Sequence, residues 1–102
     1  MLFRSAVYIL VTYDVNTETS EGRRRLRKTA TICLNFGQRV QMSVFECQVS
    51  EAQYETLRSQ LLKTIDKRVD NLRFYKLIGS RETAVEAYGV DRYIDFNEPL
   101  IL

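Results

Sequence analysis

The chain has 102 residues, a formal net charge of +2, 45% hydrophobic and 27% charged residues, two cysteines, and neither histidine nor tryptophan. That length makes one domain, and the missing histidine excludes a Ser-His-Asp triad, a Cys-His pair and imidazole zinc ligation, leaving acid–base work to carboxylates, tyrosine, lysine, cysteine or metal-bound water. The longest apolar run near the start, Ala6 to Val11, is too short for a membrane span or a signal h-region, and Cys33 and Cys47 read as reduced, buried thiols of a cytoplasmic protein.

Val7 to Tyr13 is β-branched, aromatic and apolar almost throughout, which fits a central strand. Asp14-Val15-Asn16 ends it, and residues 16–20 form a polar turn with several helix caps. Residues 21–36 read as a helix whose buried stripe is Leu26, Ala30, Cys33, Leu34 and Gly37, with Gly37 suited to a left-handed stop. From Arg39 to Val49 the alternation slips phase where Val44 meets Phe45, so two short strands meet at a bulge or bend near Met42–Val44. Ser50-Glu51-Ala52-Gln53 is a capping box, and Tyr54, Leu57, Leu61 and Ile65 mark a helix to about Lys67. Leu72 to Ile78 is a strand; residues 84–88 and 100–102 read as short extended pieces.

The expected order is β-α-β-β-α-β, the split βαβ or ferredoxin-like α+β arrangement, with both helices on one face of a four-stranded sheet. Its open face would pair with a second copy. Residues 1–80 form the ferredoxin-like domain, and 81–102 an extension whose apolar Leu100-Ile101-Leu102 adds a further strand to a sheet edge of the partner subunit.

The small net charge conceals an uneven distribution. Residues 1–81 hold fourteen Lys/Arg against eight Asp/Glu, and residues 82–102 hold one against five. Arg23-Arg24-Arg25-Leu26-Arg27-Lys28 packs five cations into six positions. Such a run either neutralises nucleic-acid phosphates or is a solvated helix face. Asp14, directly after an apolar strand, is either one carboxylate of a hard-cation site or an Asx-turn former. Two Asp14 side chains across a two-fold axis would share one ion, lower the pKa of its water and orient a phosphodiester. Ser43 is a phosphate donor or satisfies the bend; Arg39 clamps phosphate or covers a strand edge; Tyr13 and Phe45 stack on bases or belong to the core. No Walker loop, GxGxxG or CxxC is present.

Two stretches together resemble a known family. Val11-Thr12-Tyr13-Asp14-Val15 looks like its first strand and signature aspartate, and Gly37 to Cys47 looks like its Arg-x-Gln-x-Ser-Val-Phe-Glu signature. The family is CRISPR-associated protein 2, and the similarity runs through the Gly-Arg-Arg-Arg-Leu-Arg-Lys helix start to Glu98-Pro99-Leu100-Ile101-Leu102. The resemblance implies a ferredoxin-like homodimer packed through its sheet faces, with the C-terminal strand crossing to the partner. It implies a magnesium- or manganese-dependent endonuclease on RNA or DNA, with Asp14 of each subunit as metal-binding catalytic residue and Ser43 beside it. Arg39 and Phe45 map onto signature positions, and Arg23, Arg24 and Arg27 onto the basic first helix, as nucleic-acid contacts. It also implies bridging of the CRISPR-associated integrase during spacer acquisition and binding to duplex DNA. The residues alone admit two alternatives: a non-catalytic DNA-binding scaffold, and a toxin-like ribonuclease of the same fold.

Overall fold

The structure, a computed structural model, describes residues 6–94. Its elements are β1 (Ala6–Asp14), α1 (Ser20–Leu34), β2 (Gln38–Gln41), β3 (Val44–Ser50), α2 (Glu51–Thr64), β4 (Asn71–Leu77) and a single turn, α3 (Arg81–Ala84). The strands form one antiparallel α+β sheet in the order β2-β3-β1-β4. The C-terminal strand expected at 100–102 lies outside the described residues.

β1 is central because its apolar side chains find partners on both sides. Ile9 pairs with Cys47, Val11 with Phe45 and with Phe74, and Tyr13 with Leu72. Side chains alternate along a strand, so this set lines one face, and both helices close over it. Ile32 and Cys33 of α1 and Tyr54, Leu57 and Leu61 of α2 complete the core. Ile9, Leu57 and Leu61 are wholly buried, each stabilising the fold by roughly 1.5–3 kcal/mol. Tyr8, Leu10, Thr12 and Asp14 take the opposite face, beside Val44, Glu46 and Gln48 of β3 and Asn71, Arg73, Tyr75 and Leu77 of β4.

The capping box is present: Ser50 Oγ accepts from the Gln53 N–H at 3.1 Å, and Gln53 Oε1 accepts from the Ser50 N–H at 2.8 Å. The hairpin slip is present as well, as a turn at Met42–Ser43 and a register shift between Arg39 and Gln41. α2 stops three residues before Lys67, because Ile65 is extended and the chain turns through the Asp66 carbonyl.

Other expectations need correcting. α1 buries Gly22, Thr29, Ile32 and Cys33, while Leu34 is 55% exposed. The reason lies at the first turn, where Gly22 packs on the Asn16 carbonyl so closely that a Cβ would come within 1.9 Å. That contact fixes the helix rotation and turns Leu34 outward. Gly37 is not left-handed; the positive-φ glycines are Gly79 and Gly89. What excludes a side chain at Gly37 is space, since a Cβ would lie 2.4 Å from both Cys47 Sγ and the Glu46 carbonyl oxygen. Residues 84–88 form no strand: Gly79 turns the chain into α3, which ends at Ala84, and although Val85 is extended no regular element follows to residue 94. Among the described residues, no helix is long and apolar enough to cross a membrane.

Gly37→Ala forces β2 away from β3 and should cost roughly 1–3 kcal/mol in denaturant unfolding. Cys33 and Cys47 are free and buried, and burial pushes both thiols up to about 12. Native protein should therefore resist an aromatic disulfide reagent at mildly alkaline pH, with both thiols reacting once guanidinium unfolds it.

Candidate functional site

Asp14 is the last residue of β1 and is exposed. Its register partner is Asn71, and the neighbouring Tyr13 N–H donates to the Ser43 carbonyl at 3.2 Å. The β2–β3 turn that carries Ser43 therefore lies against the end of the central strand. Asp14 is not the turn former. That role belongs to Asn16, whose Oδ1 accepts from the Glu18 N–H at 3.0 Å.

The signature residues divide between the two faces of the sheet. Phe45 is wholly buried on the helix side, stacked with Tyr13 at 6.2 Å, and the Arg39 guanidinium lies 5.1 Å from its ring centre. A buried ring has no face left for a base, so the expectation of Phe45 as a nucleic-acid contact is corrected to a core residue that holds Arg39 by a cation–π contact. Arg39 is half-buried, and its Nε lacks a hydrogen-bond partner among the described residues. Burial raises the pKa of the Tyr13 hydroxyl, opposed by Arg39 and Ser43, neither of which bonds to it in good geometry. The Ser43 carbonyl thus adjoins the strand end at Tyr13, next to Asp14 in the chain, while Arg39 and Phe45 lie with Tyr13 on the inner face.

The basic run also divides. Arg23, Arg24, Arg27 and Lys28 are exposed, and Arg23 Nη1 donates to the Thr17 carbonyl at 3.2 Å, in the loop that follows Asp14. Arg25 turns inward and pairs with Asp70 at 2.8 Å.

Two carboxylates escaped the sequence reading. Asp70 has a fully buried side chain, and Glu46 is buried on the sheet face opposite the helices. Glu46 accepts from the Tyr8 hydroxyl and from Arg81 Nε at 2.6 Å. Arg81 reaches Asp91 at 3.3 Å and lies 3.6 Å from the centre of the Tyr93 ring. Burial and the Glu46 carboxylate together raise the pKa of the Tyr8 hydroxyl. The only sequence signal was negative: an acidic residue in the middle of a strand needs a cation, and its partner lies 35 positions away.

No group of three His, Cys, Asp or Glu side chains able to hold a metal ion occurs among the described residues. Magnesium keeps several of its waters and takes one or two carboxylates. Exposed Asp14 fits as one of them, supported by a rigid strand.

The chain matches the family described as CRISPR associated protein Cas2 over residues 7–84. It is 54% identical over 96 residues to the CRISPR-associated endoribonuclease Cas2 1 of Moorella thermoacetica, covering 94% of this chain and 100% of that protein. It is 47% identical over 93 residues to the CRISPR-associated endonuclease Cas2 of Halalkalibacterium halodurans, covering 91% of this chain and 97% of that one. The crystal structure of Streptococcus pyogenes Cas2 superposes with a TM-score of 0.70 at 49% identity, over 80% of this chain and 99% of that chain. An aspartate at the end of a central strand, a hairpin carrying the Arg-x-Gln-x-Ser-Val-Phe-Glu pattern and relatives matched over nearly their whole lengths agree: the chain belongs to the CRISPR associated protein Cas2 family.

Proposed function

We propose that the protein is a metal-dependent endonuclease of a CRISPR system that acts as a homodimer on nucleic acid. The observation that carries this reading is Asp14, an exposed carboxylate without an ion-pair or hydrogen-bond partner among the described residues, at the end of a rigid strand whose following loop is held by Arg23 of α1. The names of the Moorella and Halalkalibacterium relatives support nuclease activity.

The strand order β2-β3-β1-β4 supports a ferredoxin-like assignment. The sheet face without helices carries Leu10, Thr12, Val44 and Leu77, all partly exposed, and it is the surface through which two copies would pack. Asp14 shares that face, so two copies bring two carboxylates near one another. Magnesium or manganese, when bound there, supplies a water of lowered pKa and neutralises phosphate charge. This chain's own residues do the rest: Asp14 holds the site, Ser43 at the adjoining turn offers a hydroxyl to phosphate, and Arg23, Arg24, Arg27 and Lys28 bind the backbone of DNA or RNA. The integrase of spacer acquisition belongs to the same reading as a partner, in a cytoplasmic protein.

A second reading has an observation of its own. One exposed carboxylate per chain at the strand end is a sparse catalytic inventory, which favours a scaffold that binds duplex DNA without cleaving it.

Asp14→Asn should lower metal-dependent cleavage by roughly 100-fold or more, the scale on which a preorganised charge acts at a transition state, with dimer mass unchanged in light scattering. Parental cleavage by Asp14→Asn would leave the scaffold reading standing. Replacing Arg23, Arg24 and Arg27 by Glu should weaken duplex binding and flatten its salt dependence, by about 0.9 in slope for each phosphate that is no longer neutralised.

A further inference from the structure

Since the Asp14 carboxylate has no hydrogen-bond or ion-pair partner among the described residues, its position depends on the backbone that follows it. Asn16 is held from three directions: its N–H donates to Asp70 Oδ1 at 2.9 Å, its side chain accepts from the Glu18 N–H, and its carbonyl lies against Gly22. Asp70 accepts three further bonds, from the Asp66 N–H at 2.8 Å, Arg25 Nε at 2.8 Å and Arg25 Nη2 at 3.2 Å. It directly precedes Asn71, which faces Asp14 across the sheet. One buried carboxylate therefore joins the loop after Asp14, the basic helix and the start of β4. Burial opposes its charge, but Arg25 and the two backbone N–H groups outweigh burial and hold the carboxyl below the usual range.

We propose that Asp70 is a positioning residue, which latches the backbone of residues 14–16 and sets the basic face of α1 in register with it. The proposal rests on the reading of Asp14 as the reacting carboxylate. Stability alone does not call for this arrangement, because a well-packed apolar pair commonly replaces a buried ion pair without loss. What the carboxylate adds is direction. Two of its four bonds go to backbone donors in separate loops, and the other two draw one arginine of the run inward while four of its neighbours stay exposed. A helix rotated by one residue could not keep both the Arg25 pair and the Gly22 contact.

The test compares Asp70→Ala, which removes the acceptor of both backbone donors, with Arg25→Ala, which leaves those two bonds in place. In Asp70→Ala, hydrogen exchange at the Asn16 amide should rise roughly tenfold or more. Cleavage kcat should fall roughly 10- to 100-fold, the effect of a small misplacement of a reacting group, with KM within about twofold. Arg25→Ala should keep Asn16 protected. Asp70→Asn, which retains one acceptor oxygen, should lie between Asp70→Ala and the parent in both readouts, and it replaces Asp70→Ala if that variant does not fold. Unchanged Asn16 exchange in a folded variant, or faster exchange with parental kcat, would overturn the proposal. If Asp14→Asn cleaves like the parent, the reading of the site fails separately; exchange at Asn16 and the salt dependence of duplex binding in Asp70→Ala then decide the latch, and no change in either overturns it.

Discussion

The two-residue period of β1 is the constraint on which the rest of the molecule depends. Because β1 pairs on both edges, a shift of one residue would move Ile9, Val11 and Tyr13 out of the core and Tyr8, Leu10, Thr12 and Asp14 into it. The register is therefore fixed by burial, and with it the face on which Asp14 emerges. The helices follow from the same choice, since both have only one apolar surface to cover.

Charge inside this small domain is handled by pairing across long sequence separations. Asp70, just before β4, meets Arg25 of α1, and Arg81, beyond β4, meets Glu46 of β3. Each pair sits on one face of the sheet, one under the helices' side and the other opposite. Breaking either would leave an uncompensated buried charge, which is far costlier than the pair is stabilising. These pairs therefore act mainly as registers: they admit one placement of α1 against β4 and one placement of residues 81–94 against β3.

Much of this was legible in the sequence, for physical reasons. The apolar run of β1, the capping box at Ser50 and the phase slip at Val44 are local patterns, and they lead directly to elements and their order. Asp14 was legible because a carboxylate directly after a buried strand has only the strand end to occupy. The failures are all non-local. Leu34 looked buried because spacing gives a helix its stripe but not its rotation, which the Gly22–Asn16 contact sets. Phe45 looked available for bases because a signature does not say which face of the sheet it occupies. Gly37 looked like a helix stop, whereas the neighbour that forbids its side chain is Cys47, on another strand. Asp70 carried no signal and Glu46 only the negative one of an acid within a strand, since a buried acid is recognisable only once its distant arginine is in place.

The side chain of Gln38 has a consequence for how the chain leaves the domain. Its amide donates to the Ile94 carbonyl at 2.7 Å and accepts from the Ile94 N–H at 2.8 Å, the pair of bonds that an adjacent strand would supply. Among the described residues β2 pairs with β3 alone, so a side chain, not the backbone of β2, satisfies the Ile94 peptide. The chain at Ile94 is thereby moored beside the sheet while, among the described residues, the outer hydrogen-bonding edge of β2 stays uncommitted. Anchoring and edge pairing, which one strand usually performs together, are here separate tasks, and each is open to change without the other.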